Sequence, residues 1–438
     1  MAHPKDRPTG WASNRREFLE RSGGAALALS GAAGLLSACS NSTTTATSTN
    51  ASGQKLGPGG YPLARPNQPV TLKRWEDPID SNLPPETGGT FTIYNYPNYL
   101  DKGVMKSFGE KYGVEVQLTS FQDINSGIAR LANGGVHPDV MENTPDNMAR
   151  CVAAKLIKPL NLDYIPNLKK NLWPSLWSPY YDQESRYSVP YTTYATGILW
   201  RNDKVSEDIA SMPQPLDIFW QAEAYKGKVA LLSEPRETIA MALLRKGVPT
   251  GSNMSTLDLI NTEDPDLINQ AVADLKQLDS ICHIKVGDTQ FQTIPEGTTY
   301  LNQAWSGDWL AAYIFYLPKN TPASVMSYWK APTGHVPVQN DCWSICSTTT
   351  KPVLSHLWLN YINDNGVARK NFLDFNGYQP PLEELDPSTL ISDGTFPENA
   401  RTAILTKDDF GQGHIEECTL TTTGQQLWQN GYSDFLAG

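Results

Sequence analysis

The sequence lacks the residue patterns that most metal sites and hydrolytic active sites require. It has only six cysteines and six histidines in 438 residues. No CxxC pair is present, and Cys342 and Cys346 stand four apart without a nearby histidine, which argues against a zinc site. The HExxH, GxSxG and glycine-rich phosphate-loop motifs are also absent. An enzyme is therefore disfavoured, and no cofactor is expected.

Positive charge and long apolar runs are scarce as well. The chain holds 35 Lys and Arg against 46 Asp and Glu, and its net charge of −11 becomes −13 without residues 1–38, which carry five basic and three acidic side chains. Nucleic-acid binding needs Lys and Arg to neutralise phosphates, so this balance argues against it. An acidic surface suits a cationic ligand, although solubility alone explains the charge equally well. No segment beyond the N-terminal region is apolar enough to span a bilayer.

The N-terminus has the order of features of an export signal. Arg15 and Arg16 open an Arg-Arg-x-Phe-Leu pattern, and the apolar run at 25–36 is too short for a permanent membrane helix but suits a signal-peptide core. Small residues then stand directly before Cys39, an arrangement that resembles a lipobox. We expect residues 1–38 to be a twin-arginine-type lipoprotein signal peptide and Cys39 to carry diacylglycerol. A chance cysteine beside an ordinary cleavage site is the alternative.

Residues 39–89, with the lipidated Cys39 at their start, follow as a predicted flexible tether. Positions 40–54 contain no charge and nothing apolar larger than alanine, so they cannot bury enough surface to fold. Positions 55–89 are rich in proline and glycine, with Trp75 as the one large side chain that can dock on the body. The roughly 350 residues that remain exceed the size at which one core usually stops growing, so two lobes are expected.

The body begins with alternating strand and helix patterns. This rhythm predicts right-handed βαβ units, a mainly parallel sheet and hence an α/β fold. Ligands of such sheets bind beyond the carboxyl ends of the strands, where loops and helix N-termini meet. Strand patterns lie at 90–95, 114–119 and 138–141, and helical spacing lies at 102–112, 125–132 and 148–156.

Four predicted loops at strand ends share carboxylates and aromatic rings. A carboxylate offers an ammonium group charge-assisted hydrogen bonds, and a ring face holds a cation or a methylene chain. Each feature also has a simpler explanation: acids at a helix start are often caps, paired tryptophans are often core, tyrosines can be surface residues, and the acid of the fourth loop can cap a turn. Their joint placement favours a binding site. The loops are 94–99, 233–238, 305–309 and 341–345.

Five short segments of the body have an informative order and spacing, although none is diagnostic alone. They lie at 93–99, 188–197, 234–247, 305–308 and 376–380. Through them the chain, from Phe91 to its C-terminus, resembles the spermidine/putrescine-binding proteins of bacterial ABC importers, the PotD/PotF-like family of extracellular solute-binding proteins. The resemblance implies a type II periplasmic-binding-protein fold, in which two α/β lobes are joined by a hinge with the ligand cleft between them.

The resemblance also implies a set of ligand-binding positions. Glu234 and Glu237 fall on the acids that contact an amine, and Trp305 falls on the ring that stacks on the ligand chain. Asn98 replaces an acid of the family, and Gln339 replaces an aromatic residue. The complete set of expected ligand-binding residues is Tyr96, Asn98, Tyr99, Thr144, Asp146, Glu234, Glu237, Trp305, Gln339, Asp341 and Tyr378.

The resemblance further implies where the chain passes between the lobes. We expect an N-terminal lobe of residues 90–195 plus 335–395 and a C-terminal lobe of residues 196–334 plus 396–438. The crossings are expected near 194–200, 327–338 and 393–405.

The function expected from these features is that of the extracellular binding component of an ABC importer. It would bind spermidine, putrescine or a related cationic amine and deliver it to the membrane permease subunits. We expect a monomer, lipid-anchored to the outer face of the cell membrane or periplasmic. One alternative is the same fold with an amino acid, a sugar or an anion as ligand. A secreted glycoside hydrolase is less favoured, because Glu234 and Glu237 lie on one helix turn instead of on opposite sides of a sugar ring.

Overall fold

The computed structural model describes residues 49–50, 55–411 and 413–438. The export-signal residues Arg15 and Arg16 and the expected lipidation site Cys39 lie outside the described residues. So do most positions of the stretch at 40–54. Nothing in the described part of the chain forms a helix with the length and apolar character needed to cross a membrane.

Nine strands of the described residues form one hydrogen-bonded sheet. Its order is β2-β1-β3-β9-β4-β7-β5-β6, and β8 pairs with β4 beside that path. The strands are β1 (Thr90–Asn95), β2 (Glu115–Ser120), β3 (Val140–Asn143), β4 (Val189–Arg201), β5 (Val229–Leu231), β6 (Lys285–Val286), β7 (Leu301–Trp305), β8 (Met326–Trp329) and β9 (Val338–Ile345).

The α-helices cover the faces of this sheet, and local sequence signals set their ends. The Asp101 side chain accepts a hydrogen bond from the Val104 N–H at the start of α1, and Gly113 ends that helix at φ 69°, a conformation that favours glycine. The helices are α1 (Lys102–Tyr112), α2 (Ile124–Ala132), α3 (Met148–Ala153), α4 (Asn167–Asn171), α5 (Pro235–Lys246), α6 (Thr256–Ile260), α7 (Pro265–Cys282), α8 (Gln290–Thr293), α9 (Ser306–Ala311), α10 (Pro352–Ile362), α11 (Asn365–Asn371), α12 (Pro387–Ser392) and α13 (Thr422–Ala437).

Strand β4 joins the two halves of the sheet. Its residues 189–195 pair antiparallel with β9, and residues 196–200 pair antiparallel with β7. The change of partner falls between Ala195 and Thr196. On one side β1 pairs in parallel with β2 and β3, and on the other β5 pairs in parallel with β6 and β7. The expectation of a mainly parallel sheet is wrong. Strand β9 pairs antiparallel with β3 and β4, and β4 pairs antiparallel with β7 and β8, so the sheet is mixed.

Apolar residues pack on both faces of each half of the sheet, because side chains alternate along a strand. On β1 and β9, Phe91 and Trp343 join one core cluster, whereas Tyr94 and Cys342 join the cluster on the opposite face. A further cluster surrounds Ile198, Phe219, Leu275 and Trp428 in the other half. The sheet is thus sandwiched between helical layers in both lobes.

Residues 55–89 dock on the body, so the expectation of a flexible tether as far as residue 89 is wrong for them. Val70 and Leu72 are buried in the cluster that also contains Tyr94. The Val70 N–H donates to the carbonyl oxygen of Tyr180 at 2.7 Å. The Trp75 indole N–H donates to the carbonyl oxygen of Ile157 at 2.9 Å, so Trp75 docks as expected. Apolar residues of this proline-rich segment are therefore buried against the body, and its backbone forms hydrogen bonds with the body.

All five cysteines of the described residues are buried free thiols, which settles the pairing that the sequence left open. They are Cys151, Cys282, Cys342, Cys346 and Cys418. Burial raises the pKa of Cys151 to about 11, so this thiol is protonated at neutral pH.

Candidate functional site

The candidate site lies at the carboxyl ends of the parallel strands, beside the point on β4 where its pairing changes from β9 to β7. Strands β1, β5 and β7 end at Asn95, Leu231 and Trp305, and each is followed directly by a loop or helix N-terminus that carries polar side chains. This convergence gathers two groups of acids, one on each half of the sheet, with aromatic rings between them.

Asp341 is the centre of the group in the N-terminal lobe. It is 5% exposed, and the Tyr99 hydroxyl donates to its Oδ2 at 2.5 Å. The Thr192 hydroxyl donates to the same oxygen at 3.0 Å, and the Tyr194 hydroxyl donates to Oδ1 at 3.5 Å. Burial raises the pKa of Asp341, while these three hydroxyl groups oppose the rise by stabilising the charged form. Asp341 lies inside strand β9, so the interpretation of this acid as a turn cap is wrong.

Glu142 is a second acid of this group, and the sequence analysis missed it. The register pairs Glu142 on β3 with Trp343 on β9, which places the Glu142 side chain on the same sheet face as Asp341. Glu142 is fully buried, and neither of its carboxylate oxygens has a hydrogen-bond partner among the described residues. Burial, and then the negative charge of Asp341, raise the pKa of Glu142 well above its usual range. The sequence signal for this residue was an acid next to an apolar run. It was missed because β3 was expected to end at Met141, one residue before Glu142.

Glu237 is the centre of the group in the C-terminal lobe. It occupies the first turn of α5 and is 6% exposed. Its Oε1 accepts hydrogen bonds from the Trp305 indole N–H at 2.9 Å and from the Thr196 hydroxyl at 2.8 Å. The Gln303 amide donates to its backbone oxygen at 2.8 Å, which fixes the start of the helix on β7. Burial raises the pKa of Glu237, and the bonds from Trp305 and Thr196 oppose that rise.

Glu234 directly precedes α5 but does not cap it with its side chain. The capping explanation for this acid is therefore wrong. Burial raises the pKa of Glu234 to about 8, and the negative charges of Asp288, Asp123 and Glu237 add to that rise. Glu417 lies near Glu237, and burial and this neighbour raise the pKa of Glu417 well above its usual range.

Aromatic rings link the two acid groups. The Tyr99 and Tyr378 ring centroids are 5.4 Å apart, and Tyr378 and Tyr194 are 5.9 Å apart. The ring centroids of Tyr194 and Trp305 are 5.8 Å apart. The edge-to-face contacts therefore lead from Tyr99, which donates to Asp341, to Trp305, which donates to Glu237. Tyr194 is a further residue that sequence reasoning did not assign to the site. Trp309 is fully buried in the core, as its simpler explanation proposed, whereas Trp305 is partly exposed.

Tyr378 and Tyr96, two of the expected ligand-binding residues, both lie in this group of rings. The Tyr378 hydroxyl donates to Oδ1 of Asp308 at 3.2 Å, and the Trp305 backbone N–H donates to Oδ2 at 3.0 Å. Burial nevertheless raises the pKa of Asp308 to about 8. The Tyr96 ring lies 6.2 Å from that of Tyr99, and burial and Glu142 raise the pKa of Tyr96 well above its usual range.

The remaining expected residues are placed less uniformly. Asn98 is exposed with φ 61°, so its side chain is not part of the buried group. Gln339 is buried on β9 and pairs in register with Tyr194. The Thr144 hydroxyl donates to Oδ1 of Asp146 at 2.6 Å in the turn after β3. The negative charge of Asp146 raises the pKa of Glu142 and of Asp341.

The acids of the site have no basic partner in the part of the chain that the structure describes. The nearby cation is Arg236, whose positive charge opposes the rise that burial causes in the pKa of Glu237 and of Glu417. Its guanidinium forms no ion pair with either acid. It donates to the backbone oxygen of Ile260 at 3.0 Å and to Asn261 Oδ1 at 2.7 Å, and lies 4.7 Å from the ring centre of Trp428. The described residues also form no cluster of three or more metal-ligating side chains. The acids of the site that form no ion pair among the described residues are Glu142, Asp146, Glu234, Glu237, Asp308, Asp341 and Glu417.

A cavity of about 290 Å³ adjoins Glu237. Glu237 and Glu417 contribute carboxylates to its wall, and Leu216, Met241 and Trp329 contribute apolar surface. Carboxylates with raised pKa values, ring faces and an apolar wall together form a site that can hold a positively charged group on a short apolar chain.

Comparison with known proteins gives one matching family and several relatives. The model of the family described as bacterial extracellular solute-binding protein matches residues 103–398. The chain is 26% identical over 226 residues to the spermidine/putrescine-binding periplasmic protein of Escherichia coli (strain K12), covering 51% of this chain and 60% of that protein. It is 26% identical over 221 residues to spermidine/putrescine-binding periplasmic protein 1 of Haemophilus influenzae, covering 50% of this chain and 57% of that protein.

The fold is similar to that of solved solute-binding proteins. A spermidine/putrescine ABC transporter substrate-binding protein from Streptococcus pneumoniae superposes with a TM-score of 0.61 at 19% identity, covering 80% of this chain and 99% of that one. At this identity the likeness shows the fold alone: two α/β lobes of the periplasmic-binding type. The matched stretch spans 57% and 60% of the two relatives above, so their named ligands do not transfer directly.

Proposed function

The chain belongs to the bacterial extracellular solute-binding proteins, and from this premise we propose that it binds a di- or polyamine, or a related cationic amine, between its lobes. It hands that ligand to the membrane permease of an ABC importer and catalyses no reaction. We further propose that the protein is an exported monomer, anchored through lipid on Cys39, and that it needs no cofactor.

The observation that carries this proposal is the group of buried acids without basic partners. Burying a carboxylate costs free energy unless a cation or hydrogen bonds compensate it. Glu237 and Asp341 both accept hydrogen bonds from neutral donors. Trp305 and Thr196 donate to Glu237. Tyr99 and Thr192 donate to Asp341. These donors orient the acids but carry no positive charge, and Arg236 offsets the charge of Glu237 only in part, without an ion pair. An ammonium group supplies the missing positive charge, which a sugar, a neutral solute or an anion does not.

The placement of the acids favours a ligand with two or more ammonium groups. Asp341 lies on β9 in the half of the sheet that contains β1, and Glu237 lies on α5 in the half that contains β5. The rings of Tyr99, Tyr378 and Trp305 lie between them, suited to methylene groups that join two charged ends. The ligand thus contacts both lobes, and the lobe boundaries expected from the sequence define which acid belongs to which lobe.

Hydrolysis of a glycoside is not supported by the geometry of the acids. Such a reaction uses one carboxyl group as a proton donor and a second as a base or nucleophile on the other side of the scissile bond. Glu237 is instead held by Trp305 and Thr196 on the same oxygen, and Glu234 stands three residues before it on the same helix turn. This arrangement fits joint attraction of one cation.

A thermal-shift screen of the protein beginning at residue 55 tests the proposal. Putrescine, spermidine, cadaverine and agmatine are compared with amino acids, sugars and anions at equal concentration. We expect the amines alone to raise the melting temperature, because they bind only the folded state. Glu110→Gln, which removes an exposed acid of α1, serves as the control and should behave like the parent. Stabilisation by a neutral or anionic solute, and by no amine, would overturn the proposed ligand class while leaving the family assignment intact.

A further inference from the structure

Glu142 and Asp341 form a buried pair of acids with no ion pair among the described residues, and Glu142 also has no hydrogen-bond donor there. Both lie on one face of the sheet, on neighbouring antiparallel strands. The two carboxyl groups are neighbours on that face, and the negative charge of Asp341 adds to burial in raising the pKa of Glu142. Two ionised carboxylates repel each other, and neither can donate a hydrogen bond. With Glu142 fully buried and without a donor among the described residues, the contact requires a proton or another cation.

We propose that Glu142 and Asp341 form an ammonium subsite that holds one shared proton when no ligand is bound and releases it when a cationic ligand enters. The ligand class rests on the proposed function above, whereas the shared proton does not depend on it. The step is balanced: the ammonium N–H groups form hydrogen bonds to both carboxylates, and the displaced carboxyl proton passes to the solvent or buffer.

The groups around this pair leave it no other source of positive charge. Each is acidic or neutral. The Tyr99, Thr192 and Tyr194 hydroxyl groups donate to Asp341 and not to Glu142, and the Tyr99 and Thr192 hydroxyl groups also share a hydrogen bond of 2.6 Å. Burial is the largest cause of the raised pKa of both acids. The titratable groups that face the pair from the surrounding elements are Tyr96, Tyr99, Asp146, Tyr191, Tyr194, Cys342 and Tyr378.

Glu142 also explains how the site compensates for Asn98. The position after β1 that carries an acid in the resembled family is Asn98 here, and its side chain is exposed. Glu142 provides a carboxylate on the adjacent parallel strand β3, beside Asp341. Unlike Asn98, Glu142 is deeply buried. A buried acid that is protonated without ligand loses its proton when a cationic ligand binds. An exposed acid at position 98 would already be ionised before binding.

Calorimetric titration with putrescine at pH 7, in buffers of different ionisation enthalpy, measures the protons released per ligand. Putrescine is fully protonated at this pH, so release comes from the protein. We expect the parent to release about one proton more than Glu142→Gln, and Glu142→Gln to bind putrescine about 10–100-fold more weakly. Glu234 contributes its own release in both proteins, so the difference isolates the pair. Equal release and equal affinity in both proteins would overturn the inference even though the parent binds amines.

Asp139→Asn is the matched control. Asp139 is a buried acid directly before β3, and its oxygens accept hydrogen bonds from the Thr92 N–H at 2.8 Å and the Thr349 hydroxyl at 2.7 Å. Its removal should lower stability without changing proton release. A change in release as large as that of Glu142→Gln would assign the proton to general burial and contradict the subsite.

A measurement without ligand separates this inference from the proposed function. The infrared difference spectrum of the ligand-free parent minus Glu142→Gln at pH 7 should show the carbonyl stretch of a protonated carboxyl group. If Glu142→Gln does not fold, the same band is sought in the parent alone as the difference before and after putrescine. A parent that binds no amine but shows the Glu142-dependent band refutes the ligand class and keeps the shared proton. The absence of the band refutes the shared proton.

Discussion

At the scale of single residues, the protein depends on how neutral donors hold its buried acids. Two donors on Glu237 and three on Asp341 orient these carboxylates without neutralising them. An unpaired buried charge is costly, and a cationic ligand removes that cost. The energetic role of each acid therefore differs from that of the rings around it.

Glu237→Gln and Asp341→Asn should each weaken amine binding more than Trp305→Ala. Loss of one acid leaves an ammonium group buried without its partner, a cost of about 3–5 kcal/mol, or about two to three and a half orders of magnitude in Kd. Trp305→Ala removes a ring face and a donor to Glu237 but keeps the charge, at a cost of about 1–2 kcal/mol. Calorimetric titration of the three variants with putrescine and spermidine measures the order. Acid variants that bind like the parent would remove both residues from the site.

The stability of the ligand-free protein should fall as the pH rises from 7 to 8. Burial raises the pKa of Glu234 and of Asp308 to about 8 in the folded protein, against roughly 4 in the unfolded chain. The folded state therefore keeps these two protons to a higher pH than the unfolded chain does. Their contribution to the free energy of unfolding is fully present below about pH 4 and is lost as the pH rises through 8. Each group contributes up to about 1.4 kcal/mol per pH unit in this window.

Urea unfolding at pH 7.0, 7.5 and 8.0 measures this slope. His356 does not confuse it, because burial lowers the pKa of His356 to about 4 and an unfolded histidine is largely neutral above pH 7. The asparagine of Asp308→Asn cannot ionise. The free energy of unfolding of this variant should therefore fall less steeply with pH, by the contribution of one acid. A parent whose free energy of unfolding stays constant or rises with pH would contradict the protonated state of these acids.

At the scale of elements, β4 is the strand on which both lobes depend. It runs for 13 residues and exchanges β9 for β7 and β8 as partners along its length. Thr192 and Tyr194, on the first part, contact Asp341, while Thr196, just after the change, contacts Glu237. One strand thus carries donors to the acid groups of both lobes.

Gly197→Ala should destabilise this strand where it meets β8. A Cβ at position 197 would lie 2.0 Å from the backbone oxygen of Trp329 and 2.9 Å from the Tyr328 hydroxyl, so β4 and β8 would have to separate. We expect the free energy of unfolding to fall by about 1–3 kcal/mol. Gly287→Ala is the control, since no atom lies within 4 Å of its Cβ position, and it should change stability by about 0.5 kcal/mol or less. Equal effects of the two changes in urea unfolding would show that β8 moves freely.

At the scale of the whole molecule, a ligand that contacts acids on both lobes should favour a closed arrangement. Those contacts exist together only when the lobes approach each other, so the ligand shifts the population towards closure. Small-angle scattering should give a smaller radius of gyration with saturating putrescine than without it. An unchanged scattering curve would mean that the ligand binds one lobe only.

Cys39→Ala should release the protein from the membrane fraction. The expected lipid on Cys39 is the anchor, and the remainder of the mature chain is strongly acidic and without a long apolar run. Cell fractionation followed by immunoblotting compares the variant with the parent. A processed Cys39→Ala protein that still sediments with membranes would contradict the lipoprotein assignment.

Local sequence patterns determined many of the elements and suggested candidate site residues. The bounds of α1 follow from Asp101 and Gly113, and β1 was expected at the residues where it occurs, because caps and side-chain alternation act over a few neighbouring residues. Glu237 and Trp305 were identified in the same way, from acids and rings next to strand ends. The order of such segments also indicated the family.

Only the tertiary structure decided which of these residues act together. The pairing of β3 with β9 brings Glu142 beside Asp341, although the two are about 200 positions apart in the sequence. The docking of Val70 and Leu72, and the hydrogen bonds of Arg236 to Ile260 and Asn261, also depend on distant segments. Burial and the absence of a partner are properties of the packed chain. The physical state of the acids, protonated or awaiting a cation, is therefore set by packing and not by the local sequence.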